Sequence, residues 1–264
     1  MSNKILIVVL VLAIMTVSVW CINLAEAGIV TKGLVSFWTL DESDIENGVV
    51  KDIYGNNDGT IKGNPQIVDG KIDEALDFNG SSDYIVCAED PSLDITDKIS
   101  IEAWVKIDTI QDSYIVGKRD GGNQQYASYC NPDGAFRFVT WGGDTSVDTA
   151  ANVLVTGQWY HLVAVYDSAT GTGEMYVNGV PSAADATASP ITAAACGVHI
   201  GARGDGAGGS AYPLDGIIDE VKIYNRILSE DEVVQNYNAE SNLFAAVEPG
   251  NKLAVTWGRI RAED

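Results

Sequence analysis

Apolar and polar positions alternate through much of the chain, and this alternation predicts short β-strands. Every second residue of Ser100 to Lys106, SIEAWVK, is apolar, which is the two-residue period of a strand whose faces meet different surroundings. Trp159 to Asp167 is almost wholly apolar, which is typical of a central strand covered on both faces. Glu174 to Val177 leads into Asn178-Gly179, a dipeptide that favours the tight turn of a hairpin. These segments predict antiparallel sheets.

A single short helix is predicted after the last strand. Ile217 to Tyr224 is an extended run, and Ser229 follows with Glu232 three residues later. A serine and a glutamate at that spacing cap the start of a helix reciprocally. Turn clusters rich in glycine, asparagine and aspartate separate other segments, as at Asp52 to Gly59. The pattern predicts an all-β sandwich of two sheets with one short helix near the C-terminus.

The first 27 residues are excluded from this fold, because they are typical of an export signal. Lys4 precedes an apolar run from Ile5 to Trp20, and Ala25-Glu26-Ala27 supplies small residues for cleavage before Gly28. An uncleaved membrane anchor is the alternative, but an apolar run of about 16 residues is short of the roughly 20 that a span requires. We predict a signal peptide at 1–27, one domain at 28–240 and a C-terminal extension of unassigned role at 241–264. The protein is expected to be secreted or held at the cell surface.

The net charge of the chain argues against some classes of binding partner. The chain carries 16 lysines and arginines against 37 aspartates and glutamates, a net charge of −21. Such a surface repels phosphate backbones and anionic lipid headgroups, which argues against nucleic acid and, after cleavage of the leader, against a membrane as partners. Cations, neutral glycans and extracellular proteins remain. The same charge also keeps a secreted protein dispersed.

Three cysteines follow the leader: Cys87, Cys130 and Cys196. An oxidising compartment would permit one disulfide and one free thiol. Cys87 ends the alternating run Tyr84 to Cys87 and is expected to be a buried apolar residue. If a bridge forms, the pairing that we expect is Cys130 with Cys196.

Two parts of the sequence resemble a known family. Leu214 to Val234, LDGIIDEVKIYNRILSEDEVV, together with SIEAWVK, resembles the LamG-like jelly-roll domains, relatives of the concanavalin A-like lectins and glucanases. The block QWYHLVAVYD at Gln158 to Asp167, with MYVNG at Met175 to Gly179, is similar to the same pattern. The resemblance implies a two-sheet antiparallel jelly roll and an extracellular setting. It does not imply a particular reaction.

Glycan hydrolysis is the first enzymatic hypothesis for such a fold. Retaining glucanases of the superfamily carry the pattern E-x-D-x-x-E, which places carboxylates on one face of a strand. In this chain no glutamate stands two positions before Asp219, and Lys222 stands three positions after it. Regular strand alternation would direct Asp219 and Glu220 to opposite faces. His161 and His199 lie in apolar runs without a nucleophile motif and are expected to be structural. We therefore predict no catalytic activity.

Calcium is the cofactor that the sequence supports best. This hard cation takes several oxygen ligands, and Asp41 ends the first predicted strand while Asp219 lies on the closing strand. Because the resemblance implies a fold in which the chain ends meet, these two residues are candidate ligands of one structural calcium, completed by backbone carbonyls. The alternative is that Asp41 is an ordinary turn residue and Asp219 accepts backbone hydrogen bonds.

Ligand recognition would depend on aromatic rings and polar groups, because sugars present apolar faces to rings and hydroxyls to polar side chains. The candidates near glycine-rich turns are Tyr126, Arg137, Trp141, Asp144 and Tyr212. Each has a purely structural role as its alternative. Trp38, Trp104 and Trp159 lie in strong strand patterns and are expected in the core.

The expected function is non-catalytic recognition of a carbohydrate or of an extracellular partner, with structural calcium. A structural or adhesive surface module without a small ligand is the main alternative. The weaker alternative is an enzyme that cleaves a polysaccharide.

Overall fold

The computed structural model describes residues 28–141, 145–186 and 190–239, and strands dominate this part of the chain. Two 3-10 turns, Glu42–Asp44 and Pro91–Leu93, interrupt the strands. In chain order the strands and the helix are β1 Leu34–Trp38, β2 Ile45–Glu46, β3 Val49–Val50, β4 Gly59–Lys62, β5 Gln66–Asp69, β6 Glu74–Asn79, β7 Tyr84–Cys87, β8 Lys98–Ile107, β9 Ser113–Asp120, β10 Asn123–Cys130, β11 Phe136–Thr140, β12 Thr145–Asp148, β13 Trp159–Asp167, β14 Thr172–Val177, β15 Val180–Asp185, β16 Val198–Ile200, β17 Arg203–Gly204, β18 Ser210–Ala211, β19 Asp215–Tyr224 and α1 Glu230–Tyr237.

The described strands form two sheets. Sheet A contains eight strands in the order β15-β14-β13-β8-β19-β6-β5, with β1 paired to β19. Sheet B contains eleven, in the order β12-β11-β10-β9-β16-β7-β4-β3-β2, with the short strands β17 and β18 beside β9. The pairings are antiparallel apart from a single parallel contact between Gly204 and Asp120. The predicted two-sheet antiparallel jelly roll with one short helix near the C-terminus is therefore confirmed.

A continuous apolar core lies between the two sheets. Trp38, Phe78 and Val105 of sheet A pack in one cluster with Ile85 and Phe138 of sheet B, and all five are buried. Burying a large apolar side chain stabilises a fold by about 1.5–3 kcal/mol. The core therefore supplies the main stabilisation. Of the other tryptophans expected there, Trp104 is buried and Trp159 is only partly buried.

Among the described residues Cys87, Cys130 and Cys196 are buried free thiols, so the expected bridge between Cys130 and Cys196 is wrong. The Cys196 thiol lies 3.7 Å from the carbonyl oxygen of Asn123 at the start of β10, whereas Cys130 ends that strand. Seven steps of extended chain, at about 3.3 Å each, separate these two positions by roughly 23 Å. A disulfide requires Cα atoms within about 7 Å. The burial expected for Cys87 is confirmed.

The outer face of sheet A is covered by helix α1 and by the start of the described chain. Ile29, Phe37, Tyr224 and Val233 form a second apolar cluster there. The predicted capping pair is confirmed, because the Ser229 hydroxyl accepts from the Glu232 amide while the Glu232 carboxylate accepts from the Ser229 amide. The helix is thereby fixed against the sheet.

A buried ionic network lies beneath this helix. The Lys222 ammonium is 3.3 Å from Glu102 Oε1 and 3.0 Å from Glu220 Oε2, and all three side chains are buried. His161 Nε2 is 3.3 Å from Glu102 Oε1, and the Asn236 amide of α1 donates to Glu102 Oε2 at 2.6 Å. Burial alone would raise the pKa of Glu102, but the Lys222 charge, then His161 and Asn236, lower it to about 2. The charged pair is thus stabilised as ions.

Replacing Lys222 with methionine is expected to destabilise the fold by about 3–5 kcal/mol, because two buried carboxylates would lose their cation. Urea unfolding followed by circular dichroism measures this change. Lys98→Met is the matched control, since it breaks the more exposed ion pair with Asp167 and should alter stability far less. Equal unfolding midpoints for the two variants would contradict this account of the network.

Candidate functional site

The outward face of sheet B gathers aromatic and arginine side chains. Tyr114 on β9 is the register partner of Tyr129 on β10, and Tyr129 is that of Arg137 on β11. Directly opposed residues point to the same side of a sheet. Loop and short-strand residues extend the set. We call it the aromatic-arginine face, and its members are Tyr114, Arg119, Tyr129, Arg137, Trp141, Arg203 and Tyr212.

The tyrosines of this face are in ring contact. Tyr114 stacks on Tyr129 with ring centroids 4.8 Å apart and an interplanar angle of 11°. Tyr114 also meets Tyr212 at 6.0 Å in a tilted arrangement. Both distances are within the range of favourable aromatic pairs. The rings therefore form one connected surface.

Each arginine of this face lies over an aromatic ring. The Arg119 guanidinium carbon is 4.6 Å from the centroid of Trp141 and 5.6 Å from that of Tyr114, whose hydroxyl accepts a hydrogen bond from Arg119. Arg203 lies 4.8 Å from the ring of Tyr212. Arg137 lies 5.7 Å from Tyr129. Cation–π contacts of this kind hold the flat guanidinium groups against the rings.

The floor beneath the rings is made of small residues. Gly117 on β9 is paired with Ala127 on β10. A Cβ atom added at Gly117 would lie 3.0 Å from the Ala127 Cβ and 3.3 Å from Tyr114 Cδ1. The absence of a side chain at Gly117 therefore lets the Tyr114 ring rest against the sheet. Tyr212 is 46% exposed at one side, and Trp141 is half-buried at the other.

A groove of about 270 Å³ adjoins this face. His199 on β16 is the register partner of Gly117 and of Val86, and its ring stacks on Tyr84 at 6.1 Å. Asp120 at the end of β9 also lines the groove. Burial lowers the pKa of His199, which favours its neutral form. The face and the groove together offer rings, guanidinium groups and a carboxylate on one side of the molecule.

Three of the five predicted ligand residues, Arg137, Trp141 and Tyr212, are brought together on this face. Their role in binding stays a prediction. Tyr126 was placed wrongly, since it is fully buried between the sheets and its hydroxyl donates to the carbonyl of Leu93 at 3.0 Å. Asp144 lies outside the described residues. The other members of the face, which were not predicted from the sequence, are Tyr114, Arg119, Tyr129 and Arg203. Of these, Tyr129 could have been recognised as an outward residue from its odd-numbered position in β10.

A second candidate site is an acidic cluster, formed by Asp41, Asp219 and Glu220. Strand β1 pairs with β19, so Asp41 comes near the middle of β19, and the Glu220 amide donates to the carbonyl of Thr39 at 3.3 Å. The expectation that Asp219 and Glu220 alternate regularly is wrong. Ile218 and Val221 both lie in the inter-sheet core, and Glu220 adopts a φ of +55° at a β-bulge. The extra residue breaks the two-residue period there.

The carboxylates of the acidic cluster are buried and repel one another. Asp219 Oδ2 accepts the amides of Lys71 at 2.8 Å and Ile72 at 3.0 Å. Asp219 Oδ1 and Glu220 Oε1 have no hydrogen-bond partner among the described residues. Burial, followed by the charge of Glu220 and a smaller effect of Asp41, raises the pKa of Asp219 to about 8. Burial also raises the pKa values of Glu220 to about 7 and Asp41 to about 6.

This donor set is chemically suited to a hard cation, because it offers oxygen atoms alone and two of them lack a partner. In the described residues no three His, Cys, Asp or Glu side chains converge as a ready metal site. A cation here would therefore need backbone carbonyls or water as further ligands. All three carboxylate residues are buried.

No helix in the described part of the chain has the length and apolar character of a membrane span.

Solved structures share the architecture. The binding domain of Paraclostridial Mosquitocidal Protein 1 is 18% identical with a TM-score of 0.61, and the match covers 78% of this chain and 52% of that one. Domain 4 of AbnA, a GH43 extracellular arabinanase from Geobacillus stearothermophilus solved with arabinotriose, is 24% identical with a TM-score of 0.61, covering 77% and 98%. Trypanosoma rangeli sialidase with the inhibitor DANA is 20% identical with a TM-score of 0.59, covering 79% and 33%. The chain thus spans about half of the first structure, a third of the third and nearly all of the AbnA domain.

These structural likenesses establish the fold. A search of curated proteins gives no match. A family model described as the concanavalin A-like lectin/glucanases superfamily matches residues 79–234, more than half of the chain. The chain therefore belongs to the concanavalin A-like lectin/glucanase superfamily.

Proposed function

We propose that this chain is an exported, non-catalytic carbohydrate-binding domain whose ligand lies on the aromatic-arginine face. The observation that carries the proposal is the connected set of rings, with Tyr114 contacting both Tyr129 and Tyr212 and with guanidinium groups over the Trp141 and Tyr212 rings. The similarity to domain 4 of AbnA, which was solved in complex with arabinotriose, supports a glycan as the class of ligand.

A sugar would use the two parts of this face differently. Its apolar C–H face packs on an exposed ring, and Tyr212 and Trp141 are the more accessible rings. Its hydroxyls would accept hydrogen bonds from the arginines and donate to the carboxylates nearby. Tyr114 lies beneath as support, because it is 4% exposed. The rigid, stacked arrangement lowers the entropic cost of ordering these side chains on binding.

A non-catalytic role is supported by the position of the carboxylates. Asp41, Asp219 and Glu220 are buried, whereas a glycosidase needs two carboxyl groups on either side of the scissile bond. Release of reducing ends from a polysaccharide would contradict this part of the proposal.

Alanine at Tyr212 or Trp141 is expected to weaken glycan binding about tenfold or more, since each removes an aromatic contact of hot-spot size, about 1.4 kcal/mol or more. A glycan array identifies the ligand, and isothermal titration calorimetry measures the affinities. Tyr54→Ala is the matched control, because Tyr54 is 45% exposed and lies in the turn that follows β3, away from the face.

If the correctly folded protein bound no neutral or acidic glycan on the array, this result would overturn the proposal and favour a structural or adhesive module. Equal losses for Tyr54→Ala and Tyr212→Ala would also contradict the assignment of this face.

We further propose that Asp41 and Asp219 hold a structural calcium, with Glu220 as an additional carboxylate. Calcium accepts six to eight oxygen ligands, and its charge would offset the burial and the mutual repulsion that raise the pKa values of these three groups. The unpartnered Asp219 Oδ1 and Glu220 Oε1 are the atoms available to it. The ion would join β19 to the chain that leaves β1.

Calcium at about 100 times its dissociation constant is expected to raise the melting temperature by about 5–10 °C relative to chelator, because it binds the folded chain. Asp219→Asn should abolish this shift without lowering the melting temperature in chelator, since the asparagine oxygen can still accept the amides of Lys71 and Ile72. Glu46→Gln, which removes an exposed carboxylate, should keep the full shift. Differential scanning calorimetry makes the comparison, and an unchanged wild-type melting temperature would refute the calcium site.

A further inference from the structure

Arginine side chains are concentrated on the aromatic-arginine face. The described residues contain four arginines: Arg119, Arg137, Arg203 and Arg226. Three of them lie on this face, in a chain whose net charge is −21. The face therefore carries most of the guanidinium groups of the described residues.

Two of the four described arginines, Arg137 and Arg226, are paired with carboxylates. Arg137 binds both carboxylate oxygens of Asp148 across the β11–β12 pair. Arg226, on the other side of the molecule, binds both carboxylate oxygens of Glu232. Such bidentate pairs satisfy the guanidinium group in charge and in geometry.

Arg119 and Arg203 lack such a partner, since no carboxylate of the described residues lies within ion-pair distance of either. Arg119 donates to the Tyr114 hydroxyl, and Arg203 Nη1 donates to the Gly204 carbonyl at 3.1 Å. The Nε atoms of both are buried without an acceptor among the described residues. Buried donors left unpaired are unusual, and an anionic ligand or a bridging water would relieve them.

The two guanidinium groups flank one tyrosine. The Arg119 guanidinium lies over the Tyr114 ring. Tyr114 contacts Tyr212, and the Arg203 guanidinium lies over the Tyr212 ring. Burial raises the pKa of Tyr114, while the charges of Arg119 and Arg203 both act to lower it. The nearest acidic loop makes no ion pair with either arginine in the described residues: the amides of Ala207 and Gly209 are the main cause of the lowered pKa of Asp205, and the Arg203 charge makes a smaller contribution. Asp120 accepts the Gly206 amide at 2.6 Å, and Asp205 accepts the amides of Ala207 at 2.7 Å and Gly209 at 2.9 Å.

We infer that the aromatic-arginine face selects an anionic sugar, whose carboxylate or sulfate group is held between Arg119 and Arg203 while its ring packs on the tyrosines. Guanidinium groups without an internal counter-ion are preorganised for planar oxyanions, and their aromatic support fixes them in place. The net negative charge of the chain does not prevent this, because charges beyond about 8 Å are largely screened at physiological ionic strength. The inference rests on the proposed carbohydrate-binding function.

The test compares ligands that differ in charge alone. Trigalacturonate and its fully methyl-esterified form share one backbone, and calorimetry of the wild type should give about tenfold tighter binding of the free acid, as a charge-assisted hydrogen bond supplies. Maltotriose and its sulfate ester form the second pair and distinguish a sulfate preference from a carboxylate preference.

Arg119→Gln and Arg203→Gln should each reduce the ratio of acid to ester affinity toward one, because each lowers the affinity for the acid more than the affinity for the neutral ester. Lys51→Gln is the charge-matched control, since it also removes one positive charge but follows β3 at a distant position of sheet B. Circular dichroism and the melting temperature confirm that each variant is folded.

The outcomes separate this inference from the function on which it rests. Equal affinity for acid and ester, with binding still lost in Tyr212→Ala, overturns the inference and leaves the carbohydrate-binding function in place. An acid preference that survives both arginine substitutions, or that Lys51→Gln removes equally, also overturns it. Absence of binding to every glycan overturns both.

Discussion

The pairing of the first strand with the last is the constraint on which the rest of the molecule depends. Strand β1 lies against β19, and β19 lies between β8 and β6 in sheet A. Residues separated by nearly the whole domain therefore become neighbours. This closure costs chain entropy that local contacts cannot recover, so apolar burial and hydrogen bonding across the sheets must compensate. No disulfide joins the described cysteines to assist it.

The same pairing gives the two outer surfaces different cover. On sheet A, helix α1 follows β19 and covers Glu102, Lys222 and Tyr224. On sheet B, the strands from β12 to β16 carry most of the aromatic-arginine face. Sheet A thus has its outer surface partly covered by a helix, whereas no α-helix of the described residues covers the outer surface of sheet B. The acidic cluster lies on the sheet A side, near the closing strand pair.

Patterns within single segments predicted the fold well, and relations between segments were harder to predict. The period of SIEAWVK, the apolar run of β13 and the Ser229 cap each act locally, so the sequence exposes them. The bulge at Glu220 was missed because the residues around it have the composition of a regular strand, and the positive φ is imposed by tertiary packing.

The candidate site was predicted in part for the same reason. Tyr126 and Tyr129 are three positions apart, so one points into the core and the other outward, and composition alone did not decide which. Arg119 lies over Tyr114, and Arg203 reaches the same face because the short strands β17 and β18 lie beside β9, a neighbourhood that no sequence spacing reveals. The disulfide expectation failed because position along a strand, rather than the number of cysteines, decides whether two thiols can meet.

Gly117 has a consequence for how such surfaces are mapped. The Tyr114 ring packs over a residue that has no side chain, and a Cβ added there would lie 3.3 Å from the ring. Surveys that truncate side chains one at a time would pass over this position, because nothing there can be removed. Among relatives, ligand specificity could therefore change through a substitution at the position of Gly117 while every residue that touches the ligand stays the same.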